Sequence, residues 1–401
     1  MAANSSFPST AQASPTQLCW RSMPAAANLF PPAVRIAACR DAMARGGANA
    51  EIRQTLLAAL LDVERFEEAA DLVRQEQSPP GRDPEWDIRA IRALRAVGRS
   101  AEALAVADGA RDCGAEHPSL AYERVMALME LGRDRDAGDH ILDFLKRPGA
   151  RVLNPRMSAL LVRLRGADFM LDTLNEYPAR FSPADREHNR ICCLLSLGRD
   201  AEADSLMAVD RLLARVDMAP ALDTDVTTFN ADLASEIRAL PSLVNNPRYR
   251  STRQGLQTRF IWDGKNKHIH ALLRHIKCAV EAYAADAVRR EIPYLNAPSP
   301  VYLQPWAVSL ARGGHQKPHI HPSGWISGCY YVTTPDVDAA AGALCIPTAP
   351  PKVTSVPWQP HTIVPKAGQL MLFPSYFWHH TKPHGSDEER ICIAFDVKPA
   401  R

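Results

Sequence analysis

The chain has no apolar run approaching the ~18 residues that a bilayer-spanning helix requires, its longest helical candidates being interrupted by charge. No spanning helix is therefore expected. It has no excess of charge of either sign: 47 basic residues against 45 acidic ones leave a net +2, too little for the electrostatic footprint of a nucleic-acid or membrane-surface binder. It has no CxxC pair. Nine cysteines, at 19, 39, 113, 192, 193, 278, 329, 345 and 392, are scattered, several of them in apolar runs. Thiols so placed behave as small hydrophobes, which favours a reducing compartment, and a cytoplasmic protein is expected. The first forty residues have no Asp or Glu and are rich in Ser, Ala and Pro. With only three arginines and several prolines an amphipathic transit helix is hard to draw there, so residues 1–40 read as a disordered tail.

What is present falls into two parts, since 401 residues exceed one ordinary core. From Asp41 to about residue 210 the sequence is helical and repeats. The segments LLDVERFEEA, LRAVGRSAEA, LMELGRDRDA and LLSLGRDAEA align, with a weaker copy in LVRLRGADFM. Their turn positions Glu64, Gly98, Gly132 and Gly166 lie 34 residues apart, with Gly198 following after 32. Ala69, Ala103, Ala137 and Ala203 stand five residues after their turns, where a close helix crossing needs a small side chain. A helix–turn–helix period of 34 residues is the mark of tetratricopeptide repeats. Four or five of them stack into an α-solenoid whose concave face holds a peptide or partner protein, or which merely dimerises or braces the C-terminal domain. His117, His140 and His188 sit at unrelated repeat positions and read as packing or surface residues.

Residues 211–228, with Pro220 and several aspartates, read as a linker. The helix that follows has Phe229, Leu233, Ile237 and Leu240 on one face, is capped by Thr228 or Asn230, and ends at Pro241. Gly255 to Trp262 reads as a strand, and Lys267 to Ala287 as a second helix, apolar at Ile269, Leu272, Leu273, Ile276, Val280 and Tyr283. His268, His270 and His275 on that helix follow one another at spacings of two and five, so the three do not converge on one face and are not expected to chelate one ion. From Tyr302 the pattern changes to short strands with turn signals, the pattern of a jelly roll. Strands are expected at 302–310, 319–321, 328–333, 343–346, 361–364, 369–373 and 390–397. The proline-rich segment Pro347 to Pro360 is expected to be an irregular loop at the barrel mouth.

Seven of the 13 histidines fall between His315 and Arg390. Histidine is the commonest metal ligand, so the cluster reads as a metal site. On a strand His319 and His321 project from one face and can share an ion. His379, after the run QLMLF and the turn at Pro374-Ser375, is the expected third ligand, with its neighbour His380 as the rival. His315 is expected to line the pocket, and His361 and His384 to lie in loops. Three protein ligands leave positions open on a first-row metal, as in catalytic sites.

At this point the chain resembles a known family, the iron(II)- and 2-oxoglutarate-dependent oxygenases, in their prolyl-hydroxylase-like bacterial and phage branch. The resemblance is carried by His319-Ile320-His321-Pro322, by Ser327 to Val332 (SGCYYV), by Gly368 to Ser375, and by His379, Pro383 and Arg390. It covers roughly residues 225–401. It implies a double-stranded β-helix (jelly roll) with supporting helices over 229–401, iron(II) held by His319, His321 and His379, and 2-oxoglutarate held by Arg390 with Tyr331 as second partner. It also implies hydroxylation of a substrate with release of succinate and CO2. In this resemblance His321 stands where most of the superfamily has a carboxylate, which leaves the site one unit more positive. Arg390 shares its strand face with the small residues Cys392 and Ala394, leaving room for a five-carbon diacid, while Ile391, Ile393 and Phe395 face the core. Fused to the helical array, such a domain implies a protein or peptide substrate recruited by the repeats. The alternatives are a three-histidine, cupin-like dioxygenase independent of 2-oxoglutarate, and a non-catalytic scaffold with a degenerate barrel. The expected class is thus an α+β multidomain protein.

Overall fold

The computed structural model describes residues 18–22 and 32–400, apart from 48, 77–82, 116, 148–152, 154, 223–224, 241–242, 246–250, 259–260, 262–265, 297–299, 338–339 and 347–360. The chain divides into two compact units.

The first unit spans Ala25–Phe169 and Asn175–Arg180. It is built from α1 (Pro32–Ala44), α2 (Ala50–Asp62), α3 (Phe66–Gln75), α4 (Pro84–Ala96), α5 (Ser100–Asp112), α6 (Pro118–Glu130), α7 (Asp134–Lys146) and α8 (Pro155–Arg165), with part of α9 (Ala167–Glu176). From α1 to α8 each helix packs on the next, and α2 also touches α4 and α4 touches α6, so the helices form stacked hairpins. The repeat turns share one backbone solution. Glu64, Gly98, Gly132 and Gly166 all lie in the left-handed region, with φ of 60°, 77°, 70° and 91°. Glycine adopts this conformation at no steric cost; Glu64 holds it with a side chain. Ala69, Ala103 and Ala137 are completely buried. The tail expected over 1–40 ends earlier than its composition suggests, because α1 begins at Pro32 and buries Ile36 and Cys39.

The second unit comprises Met1–Pro24, Met170–Leu174 and Phe181–Arg401. It opens with α10 (Pro183–Ser196), α11 (Asp200–Leu206) and α12 (Val209–Leu212). The α10–α11 hairpin repeats the same turn, with Gly198 at φ 70°, yet Ile191, Leu194, Ala203 and Met207 lie in one continuous core with the strands. The expected linker is instead structural. Ala214–Asp217 form β1, paired antiparallel with β8 (Gln369–Pro374), Ala214 facing Leu372. Four residues are too few for alternation to stand out in sequence. Near the chain start Trp20 bridges Val301, and its indole donates to Glu281 at 2.7 Å, so residues 18–22 also depart from the expected tail.

Helix α13 (Val226–Arg238) is capped by Asp225, whose carboxylate accepts from the Thr228 amide at 3.0 Å, rather than by Thr228 or Asn230. Asn230 is buried, and its side-chain oxygen accepts the Tyr330 hydroxyl at 2.7 Å. Helix α14 (Lys267–Arg289) buries Ile269, Leu272, Ile276, Val280 and Tyr283, while Leu273, also expected in the core, is only partly buried at its edge.

The strands form a jelly roll. Seven of them, in the order β1-β8-β5-β10-β4-β3-β2, make the large sheet, and β7-β6-β9 the small one. The members not yet given are β2 (Val244–Asn245), β3 (Thr252–Gln257), β4 (Val301–Gln316), β5 (Ile326–Thr333), β6 (Leu344–Ile346), β7 (His361–Ile363), β9 (His380–Thr381) and β10 (Arg390–Pro399). All named pairings are antiparallel. β3 lies earlier than the expected strand at 255–262, part of which falls outside the described residues; its register shifts at Gln254, where φ is 50°. Gly328 is dictated by packing, since a Cβ there would collide with the Phe395 ring and meet the Met371 carbonyl at 2.8 Å. The expected loop 347–360 lies outside the described residues. Among the described residues no helix is long and apolar enough to cross a membrane.

Candidate metal centre

Residues 319–321 do not form the expected strand. Pro318 and Pro322 lack the amide hydrogens that a ladder needs, and His319 makes a single bridge to His379, each amide donating to the other's carbonyl at 3.0 Å. The His321 amide donates to Ser375 O at 3.0 Å, and the chain then turns, with Gly324 N donating to His321 O at 2.9 Å. This bridge brings together residues sixty apart, and the i, i+2 relation of His319 and His321 survives it. One ring nitrogen from each of His319, His321 and His379 lies within 4.8 Å of the others. Among the described residues no other group of three His, Cys, Asp or Glu converges in this way.

The hydrogen bonds around the rings settle their tautomers. His319 Nδ1 is 2.7 Å from Lys317 O, His379 Nδ1 is 2.8 Å from Phe377 O, and His321 Nδ1 is 2.7 Å from Asp396 Oδ1. Carbonyl and carboxylate oxygens only accept, so each Nδ1 carries a proton, and in the neutral form of each ring Nε2 presents the lone pair. Fixing Nδ1 so that Nε2 can ligate is how metal-binding histidines are held. His319 Nε2 lies 3.2 Å from the Ser251 hydroxyl, a long hydrogen bond that would have to give way to a bound cation. Burial, and then the neighbouring His321, push the His319 pKa down to about 3. Burial followed by His319 and His321 holds His379 well below its ordinary value. Both are therefore neutral near pH 7, as ligation requires. Burial raises the Asp396 carboxyl, but its interaction with His321, with the Ser327 hydroxyl and Lys398 adding to it, outweighs burial and leaves the net shift downward.

His380 points away. It pairs with Cys345 in the small sheet and is not among the converging nitrogens. His315 lies on β4 with Nδ1 3.1 Å from Gly313 O. His361 is exposed at the start of β7, and His384 is buried against Leu310 O at 3.2 Å.

Arg390 opens β10 and is 2% exposed. Its Nη1 donates to Gly342 O at 2.8 Å, and its guanidinium carbon lies 5.1 Å from the Tyr331 ring centre. Among the described residues no hydrogen bond of ordinary geometry reaches Arg390 Nε or the Tyr331 hydroxyl, although Arg390 and Cys329 lie close enough to the hydroxyl to act on it electrostatically. Burial drives the Tyr331 pKa far above its usual value, so the hydroxyl keeps its proton. Two buried donors without an acceptor cost free energy unless water or a ligand supplies one, and a carboxylate has the two oxygens to meet both. Ile391, Ile393 and Phe395 are completely buried, while the face of Arg390 continues through Cys392 and Ala394 to Asp396.

Sequence reasoning missed Asp396, Ser251 and Trp306, whose ring stacks on His321 at 5.5 Å and 20°. Parity along β10 pointed to the first of these, since residue 396 shares its face with residue 390.

Comparison with known proteins bears on the same segment. Residues 304–396 match the family described as putative 2OG-Fe(II) oxygenase. No curated protein sequence matches the chain. Similar solved structures include a Pseudomonas putida prolyl-4-hydroxylase, 15% identical, covering 47% of this chain and 93% of that one with a TM-score of 0.34. Another is a prolyl hydroxylase from Trichoplax adhaerens in complex with a hypoxia inducible factor oxygen degradation domain peptide fragment, 16% identical, covering 51% and 92% with a TM-score of 0.35. A third is HygX from Streptomyces hygroscopicus with nickel and 2-oxoglutarate bound, 11% identical, covering 49% and 87% with a TM-score of 0.34.

Proposed function

We propose that this 2OG-Fe(II) oxygenase holds iron(II) on His319, His321 and His379, holds the distal carboxylate of 2-oxoglutarate on Arg390 and Tyr331, and hydroxylates a protein or peptide recruited by the helical repeats. The observation that carries the metal assignment is the set of three Nε2 lone pairs, each fixed by an oxygen on its own Nδ1. The cosubstrate assignment is supported by the two unsatisfied donors at Arg390 and Tyr331. When bound, iron(II) and 2-oxoglutarate supply the oxidation, in which O2 converts the keto acid to succinate and CO2 and places one oxygen atom in a substrate C–H bond. The protein's part is to bind and orient. Arg390 meets a carboxylate with a planar fork of donors, Tyr331 adds a hydroxyl, and buried walls keep water away.

Anaerobic titration of the full chain with iron(II) and then 2-oxoglutarate tests the centre through the visible charge-transfer band of the chelate. No band, or no succinate in air, defeats the assignment. The recruitment part is tested separately. Deleting residues 41–210 would remove Ile191, Leu194 and Met207 from the jelly-roll core, so the deletion is set at 32–165. Substrate turnover is then lost while uncoupled succinate formation persists; unchanged turnover removes the repeats from the reading.

A further inference from the structure

The three imidazoles are not held alike. His319 and His379 each donate Nδ1–H to the carbonyl two residues earlier, Lys317 O and Phe377 O. The equivalent carbonyl for His321 is His319 O, and it already accepts the His379 amide in the bridge that builds the site. His321 therefore needs an anchor from elsewhere, and it finds one 75 residues away in Asp396. That carboxylate is 5% exposed. Its Oδ1 also accepts the Ser327 hydroxyl at 2.7 Å, and Ser327 Oγ lies 2.8 Å from Ser375 Oγ. Lys398 Nζ stands 3.9 Å from the other oxygen. With Trp306 stacked on one face, the His321 ring is fixed at an edge and a face.

There is also a question of charge. Three neutral imidazoles leave a divalent cation uncompensated in a buried pocket, where an unpaired charge is costly. A carboxylate hydrogen-bonded to a ligating imidazole raises the basicity of that ligand and shares its own charge with the metal. Resting on the three-histidine reading above, we propose that Asp396 is a positioning residue of the metal centre, whose carboxylate orients His321 and supplies through its ring the negative charge that no direct ligand provides.

The test is Co(II) titration of the metal-stripped full chain, reading both the dissociation constant and the ligand-field absorption. Asp396→Asn keeps an acceptor oxygen and removes the charge; Asp396→Leu removes both. Asn is expected to weaken Co(II) binding about 10-fold and Leu about 100-fold, with the absorption bands displaced in each. Binding within about twofold of wild type in both, with unchanged bands, overturns the proposal. Weakened binding with bands that do not move also overturns it, because general loosening of the fold acts in that way. If the Leu variant does not fold, the near-isosteric Asn variant decides alone. The outcomes separate the two readings. A wild-type chain that binds no Co(II) defeats the three-histidine centre and this inference together, whereas a centre lost in His379→Ala but untouched in Asp396→Asn defeats only the role of Asp396.

Discussion

The indole nitrogen of Trp378 donates to His188 Nδ1 at 3.0 Å, joining α10 to the residue immediately before His379. Burial pushes the His188 pKa down to about 4. In the unfolded chain it titrates near 6.5, so between these values the unfolded state binds more protons and stability rises with pH. The contribution is fully present above pH 6.5 and is lost as pH falls toward 4, reaching roughly 3 kcal/mol. Urea unfolding of wild type and His188→Gln at pH 7.5 and pH 5 should show a shallower loss in the variant. Equal losses would mean that this ring titrates alike in both states.

Tyr331 predicts effects of opposite sign on stability and binding. Its hydroxyl is buried without a partner, so Tyr331→Phe should leave the ligand-free protein as stable as wild type or about 1 kcal/mol more so. The same change should weaken 2-oxoglutarate binding about 10-fold, and Arg390→Ala about 100-fold, given the strength of charge-assisted bonds. Calorimetric titration with 2-oxoglutarate in the presence of Co(II) checks both; a destabilised Tyr331→Phe with unchanged affinity would contradict the assignment.

His379 and His380 are adjacent and chemically identical, yet only the first converges with His319 and His321. His379→Ala should lower Co(II) affinity by at least about 100-fold, while His380→Ala should change it by less than about threefold, since outer partners alone account for up to the larger figure. The reverse order would move the centre to the other face of the segment.

Glu64 occupies a left-handed position, φ 60°, that glycine fills at 98, 132 and 166. A side chain there costs roughly 1 kcal/mol. Glu64→Gly should therefore raise the midpoint of thermal unfolding of the helical unit, and a lowered midpoint would show that the Glu64 side chain compensates for its backbone.

Much of this molecule was legible in the sequence because its signals are periodic or local. The 34-residue spacing placed the turns, since a sharp reversal between helices needs one residue with positive φ and each repeat supplies it at the same offset. Short apolar runs bounded by turn residues located β5, β8 and β10, nearly all of whose residues are buried on both faces. The i, i+2 spacing of His319 and His321, and the phase of Arg390 against Ile391 and Ile393, survived into the structure. What was misread lacked period or length. β1 has four residues, and the α10–α11 hairpin carries the repeat pattern while its apolar side is buried with the strands.

The sequence by itself determined the helical array, the strand-rich C-terminal half, the pairing of His319 with His321 and the face on which Arg390 lies, because spacing and parity are properties of a chain taken a few residues at a time. Only the tertiary structure decided which nitrogen of each ring carries its proton, that His379 rather than His380 meets the others, and that Asp396 stands behind His321. Those depend on the registry of strands far apart in the chain: β10 against β5, and the 319 segment against 379. No local pattern encodes a contact made across 75 residues.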